Sequence, residues 1–152
     1  MPTTRVDAVR LDAWRAMLTA HAEVVDRLAR EMEDRTGLPL SWYEVLLSLH
    51  EAPGEQLRMH RLADSLLLSR SAVTRFIDRM EAAGLVARTG CPRDGRGVNV
   101  TLTVEGRHRF AAAAPIHLEG ISRRFGAFLS REEAEVIARA LRRVAAANQS
   151  SG

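Results

Sequence analysis

The chain contains no lysine: all 22 of its basic residues are arginine. Because arginine hardly titrates, the isoelectric point is high beside a net charge of only +3, and it overstates how basic the protein is. Cysteine is reduced to Cys91 alone, which excludes an intramolecular disulfide and agrees with a reducing compartment. No segment approaches the roughly 20 apolar residues that span a bilayer, and residues 1–10 carry no continuous apolar stretch of the secretory kind. A soluble, cytoplasmic protein without membrane attachment is expected. The five histidines, His21, His50, His60, His108 and His117, include no i, i+4 pair, and Cys91 has no partner at finger-like spacing, so no metal is expected. A Gly-rich phosphate loop and a nucleophile elbow are both missing, and the carboxylates fall where helix caps and surfaces explain them. Neither catalysis nor a cofactor is expected.

A chain of 152 residues suits one domain, 1–152, with a real core but no room for separate substrate and cofactor domains. Its charge is unevenly spread. Residues 1–55 hold 6 arginines against 10 acids, residues 56–109 hold 10 against 5, and residues 110–152 hold 6 against 4. A basic centre between weakly charged ends suits local attachment to a polyanion, although a solvated arginine-rich face gives the same count.

The apolar or semi-apolar positions Leu11, Trp14, Leu18, His21, Val25, Leu28 and Met32 step by three and four, with Met17 and Val24 widening the stripe. They predict a long amphipathic helix ending near Thr36 and Gly37. Ser41 and Glu44 have the form of a capping box opening a helix that buries Trp42, Val45, Leu46 and Leu49, punctuated by Pro53-Gly54. Two short helices follow over 60–66 and 70–83, separated by a brief turn at 67–69. The second has its apolar face at Val73, Phe76, Ile77 and Met80, an N-cap at Ser69 and a stop at Gly84. The period then changes to two: 85–89 and 98–102 read as a pair of strands around the Gly-, Pro- and charge-rich tip 90–97. A helix capped by Thr103 and another opened by the Ser130/Glu133 box complete the chain, burying Phe110, Leu118, Ile121, Phe125 and Phe128, then Ile137, Leu141 and Val144. Pro115 is expected to kink or split the first of these, and the end to fray from about Ala146.

Helix, turn, helix, strand, charged loop and strand is the order of a winged helix-turn-helix. The predicted fold is mostly α with a small β-hairpin wing. Opposite its apolar face the second helix carries Arg70, Ser71, Thr74, Arg75, Asp78 and Arg79. Arginine bonds guanine edges bidentately or holds phosphates, and short hydroxyls approach bases or backbone near a helix N-terminus. An ordinary amphipathic surface helix has the same pattern but lacks the adjoining hairpin. The tip supplies Arg93 and Arg96, the latter flanked by Gly95 and Gly97, and a guanidinium on so thin a loop fits the narrow minor groove. Read as plain turn chemistry, Asp94-Gly95-Arg96 is simply a good turn.

The stretch Leu62-Ala63-Asp64, Ser69-Arg70-Ser71-Ala72-Val73-Thr74-Arg75 and Glu81-Ala82-Ala83-Gly84-Leu85-Val86 resembles the MarR family of regulators. Asp94-Gly95-Arg96 matches the Asp-x-Arg of that family's wing, and Leu102-Thr103 followed by Gly106 matches the strand exit into its fifth helix. Gly97 departs from the pattern, since many members carry a second arginine there. The resemblance implies a winged helix-turn-helix lobe over 42–103 and dimerisation helices over 6–36 and 104–147. It further implies a homodimer that binds a pseudo-palindromic duplex operator through Arg70, Ser71, Thr74, Arg75, Arg79, Arg93 and Arg96, most simply as a ligand-responsive repressor. Members commonly respond to a small aromatic or phenolic effector between lobe and dimer helices, for which Trp14, Met17, His21, Trp42, Leu46 and His50 are the candidates here. The tryptophans also read as core and His21 as an interface histidine. Some relatives sense oxidants through a first-helix cysteine that this chain lacks; Cys91 lies instead at the base of the wing and reads most simply as an incidental surface thiol. The alternative function is a winged-helix protein-interaction module with weak or no DNA binding, which would need apolar anchors in place of arginines on the second helix.

Overall fold

A computed structural model of the chain describes residues 5–66, 69–90 and 97–149. The described elements run α1 (Ala8–Thr36), α2 (Leu40–Glu51), a 3-10 turn (Pro53–Glu55), β1 (Gln56–Arg58), α3 (Met59–Leu66), α4 (Arg70–Ala82), β2 (Val86–Gly90), β3 (Val98–Leu102), α5 (Val104–Arg124), a second 3-10 turn (Gly126–Phe128) and α6 (Arg131–Gln149). They fall into two compact units, Met1–Leu28 with Leu118–Gly152, and Ala29–His117. Among the described residues no helix is long and apolar enough to cross a membrane.

The unit Ala29–His117 holds nearly all of the buried hydrophobic side chains. Met32, Leu38, Val45, Leu46, Leu49, Leu62, Val73, Ile77, Met80 and Val100 are all but inaccessible. The three strands form one antiparallel sheet in the order β1-β3-β2. β3 is central: Leu57 pairs with Val100 on one side and Arg88 with Val100 on the other. The expected hairpin is therefore the larger part of a three-stranded sheet. β1 was not anticipated, since three residues, Gln-Leu-Arg, are too short to display a period of two. Its pairing partner, not its own pattern, makes it a strand.

α2 differs from expectation at its start. Its N-cap is Pro39, whose carbonyl accepts from the Trp42 and Tyr43 N–H groups, and no side chain caps it. Ser41 is therefore already helical and the Ser41/Glu44 box does not form. The earlier start turns Leu40 and Tyr43 into the core and leaves Trp42 half-buried. Tyr43 stacks on Phe110 with ring centroids 5.4 Å apart and tilts against His117 at 4.7 Å.

α5 starts as expected, with the Thr103 hydroxyl accepting from the Gly106 N–H at 3.0 Å. It runs unbroken through Pro115, which does not split it. The proline withholds one N–H from the carbonyl of Ala111, and both residues are exposed, so water can satisfy that carbonyl.

In the other unit, burial falls away. Among the described residues Leu28 is its one buried hydrophobic core residue. Along the α1 stripe Leu11, Trp14, Leu18 and His21 are exposed, Val25 is half-buried and Leu28 is buried. Of the side chains expected to be covered, Leu118, Phe125, Phe128, Leu141 and Val144 are exposed, whereas Ile121 and Ile137 are half-buried. α6 opens on the expected box: the Ser130 N–H donates to Glu133 at 2.9 Å and the Glu133 N–H donates to the Ser130 hydroxyl at 3.2 Å. These bonds hold the Glu133 carboxyl below the usual range. The helix continues to Gln149, beyond the point where fraying was expected.

Candidate nucleic-acid interface

α4 is fixed at both ends. Ser69 has extended backbone (φ −67°, ψ 156°) and its side chain accepts from the Ala72 N–H at 3.2 Å, the cap its sequence position predicts. At the far end Gly84 takes φ +77°. Its N–H donates to the Glu81 carbonyl at 2.9 Å and that of Leu85 to the Met80 carbonyl at 3.0 Å, the paired bonds of a left-handed helix terminator.

Between these ends the helix has two chemically distinct sides. Val73, Ile77 and Met80 are fully buried and Phe76 is half-buried. Ser71, Thr74, Arg75, Asp78 and Arg79 are exposed. The Arg79 guanidinium carbon lies 5.7 Å from the centroid of the Phe76 ring, which restrains its stem while leaving the charge outward. Ser71 Oγ is 3.3 Å from Ser69 Oγ.

The acids of α4 are held from β2. The Arg88 guanidinium donates to Glu81 Oε1 at 3.0 Å, to the Thr74 carbonyl at 3.2 Å and to Asp78 Oδ1, and the Arg88 N–H donates to Glu81 Oε2 at 2.7 Å. Burial opposes charge on this guanidinium, but the bonds to Asp78 and Glu81 outweigh it and raise its pKa. With both α4 acids so paired, the unpaired charge that α4 leaves outward among its described side chains is that of Arg75 and Arg79.

Four of the seven expected DNA contacts, Ser71, Thr74, Arg75 and Arg79, thus share one exposed face. Arg70 is the first residue of α4, and its side chain lies outside the described residues, as do Arg93 and Arg96 and the lone thiol of Cys91. Gly97, where an arginine is common in the resembling family, is buried beside β3. Sequence reading passed over Arg88. The available signal was the i, i+3 pair Asp78 and Glu81 beside a basic residue on the next strand, a pattern that needs the strand's placement before it has meaning.

The effector candidates divide between the units. Trp14, Met17 and His21 belong to the first, where Trp14 is 54% exposed, His21 is exposed and Met17 is half-buried. Trp42, Leu46 and His50 belong to the second. Leu46 is core and has no exposed surface, while His50 lies against the Phe110 ring at 4.6 Å and places Nδ1 3.5 Å from Glu55. A groove of about 260 Å³ in the first unit is lined by Glu23, Val24, Arg27, Arg123, Arg124 and Phe128, and none of the six candidates borders it.

A helix pair whose second member is capped, basic and outward-facing, followed by a sheet hairpin, defines a winged helix-turn-helix protein. The chain belongs to the MarR family of transcriptional regulators: a family model with the description MarR family matches residues 36–97. It is 30% identical over 116 residues to transcriptional regulator HosA of Escherichia coli O111:H-, covering 76% of this chain and 84% of that protein. Among solved structures, it is similar to AbsC, a MarR family transcriptional regulator from Streptomyces coelicolor (TM-score 0.87, 30% identity, 98% of this chain and 100% of that one). It is similar also to Sco3205, a MarR family transcriptional regulator from the same organism solved in complex with DNA (TM-score 0.84, 30% identity, 93% and 89% covered).

Proposed function

We propose that this regulator works in the cytoplasm by binding duplex DNA sequence-specifically as a homodimer, most simply as a repressor. In this reading α4 enters the major groove with Arg70, Ser71, Thr74, Arg75 and Arg79, and the wing brings Arg93 and Arg96 to the minor groove. The observation that carries it is the outer face of α4, hydroxyl and arginine set opposite the buried Val73, Ile77 and Met80, with its acids bonded to Arg88. Among the described residues α4 exposes no large apolar side chain, which speaks against a protein-docking role for it.

The dimer reading is supported by the apolar surface of the first unit: Leu11, Trp14 and Leu18 on α1, Leu118 on α5, and Val136, Leu141 and Val144 on α6 are all exposed. So much apolar surface on consecutive turns calls for a covering partner, and a two-fold copy is the commonest solution. Family membership also supports release of DNA by a small aromatic or phenolic anion. Titration calorimetry with salicylate-like compounds tests this, the expected result being heat together with loss of duplex binding.

The salt dependence of duplex binding tests the central reading. If a dimer neutralises about 6–10 phosphates, affinity falls about 10³- to 10⁵-fold between about 50 and 200 mM salt. A salt-independent interaction, or none, would contradict it.

A further inference from the structure

Arg88 lies at the root of the wing hairpin and spans to three points on the recognition helix one to two turns apart: the Thr74 carbonyl, Asp78 and Glu81. Its own N–H adds a fourth bond to Glu81. The side chain is 26% exposed against 56% for Asp78 and 39% for Glu81, so the two bonds to Glu81 are part-buried between strand and helix, where charge-assisted bonds outlast surface pairs, while those to Asp78 and the Thr74 carbonyl lie at the exposed edge. A planar fork is needed to reach two carboxylates and a carbonyl at once, and lysine cannot reproduce it.

We propose that Arg88 is a positioning residue for DNA recognition, which locks the wing strand β2 to helix α4 and acts through Asp78 and Glu81 without touching DNA. The proposal rests on the DNA-binding reading above. Groove-reading helix and wing then meet the duplex as one preset piece, and Asp78, an acid in the middle of a basic face, has a reason to be there. Its carboxylate is the helix end of the lock.

The two roles open to Asp78 give opposite outcomes. Removing a carboxylate from a DNA-facing helix should by charge alone tighten binding to any duplex. As part of the lock, its removal should instead lower discrimination between sites. The test measures affinity for a duplex enriched from a random pool by the parent protein and for a random duplex of equal length, across a salt series. Asp78→Ala is expected to reduce the enriched-to-random affinity ratio about tenfold, with affinity for random duplex equal or higher. Arg88→Lys is expected to reduce the ratio similarly, and Asp78→Ala combined with Arg88→Lys to lose little more than either alone. Asp78 is exposed, so Asp78→Ala should fold; urea denaturation of each variant checks this. An unchanged or raised ratio in folded Asp78→Ala overturns the proposal. So do additive losses in the double variant together with a salt slope shallower by about one in the charge-removing variant Arg88→Gln, because Arg88 would then be a phosphate contact. Failure of the parent protein to enrich any duplex is a separate result, which strikes the DNA-binding reading itself.

Discussion

Gly106, in the first turn of α5, lies so close to the backbone of Leu85 that a Cβ built on it would stand 2.1 Å from the Leu85 carbonyl oxygen and 3.0 Å from Leu102 Cδ1. The obstacle is main chain, which cannot rotate aside as a side chain can. α5 therefore seats directly on the link between α4 and the wing. Gly106→Ala is expected to destabilise the fold by about 1–3 kcal/mol or more, read as a lower urea midpoint at unchanged slope. A midpoint equal to the parent's would mean that this contact is looser than the structure has it.

Thr103 ties the same junction with three bonds. Its hydroxyl donates to the Gly84 carbonyl at 2.6 Å and accepts from the Gly106 N–H, and its own N–H donates to the Leu85 carbonyl at 3.2 Å. Thr103→Val keeps the shape and the backbone bond but loses both hydroxyl bonds, so it should cost about 0.5–2 kcal/mol, whereas Thr103→Ser should cost much less. Equal stability of the two variants would deny the hydroxyl its role.

His117 packs against the Tyr43 ring with Nδ1 buried and lacking a hydrogen-bond partner among the described residues, and burial holds its pKa below the ordinary 6.5. Well above that value both folded and unfolded chains carry it neutral and it adds no pH dependence. As pH falls through 6.5 the unfolded chain takes up a proton that the folded one resists, and stability declines until the lower folded value is passed. Between about pH 7.5 and 5.5 the parent should therefore lose more stability than His117→Gln, measured by urea denaturation at each pH. Equal losses would contradict the assignment.

Arg75 and Arg96 test the two grooves separately. Arg75→Ala should relax base preference, at about 1–3 kcal/mol for a bidentate base contact, while Arg96→Ala should weaken binding most at narrow-groove sites. If both variants bind as the parent does, measured by fluorescence anisotropy, the assigned DNA face is wrong.

Much of this was legible in the residues because α4 and its neighbours obey local rules: Ser69 caps, Gly84 terminates, and the shift from a period of three or four to two marks where β2 begins. The Ser130/Glu133 box formed for the same reason. The Ser41/Glu44 box, with the same pattern, did not, because Pro39 already supplies a carbonyl for two N–H groups and burial of Leu40 and Tyr43 fixes the register. Local signals lose where tertiary burial sets the phase. β1 and the Arg88 lock were not readable for a related reason: each exists only through residues distant in the chain, Asn99 to Thr101 for the strand and Asp78 and Glu81 for the arginine. The apolar stripe of α1 lies on a helix as its spacing predicts, yet its first half is exposed in the single chain, and the proposed second copy is what would cover it.

Selection of bound fragments from random duplex DNA tests the central claim most directly, because one enriched sequence reports binding, symmetry and spacing together. The expected result is a near-palindrome whose half-site centres lie about 10–10.5 base pairs apart, one helical turn. Enrichment of nothing, or of a single unrepeated half-site, would contradict a dimer that reads DNA through paired α4 helices.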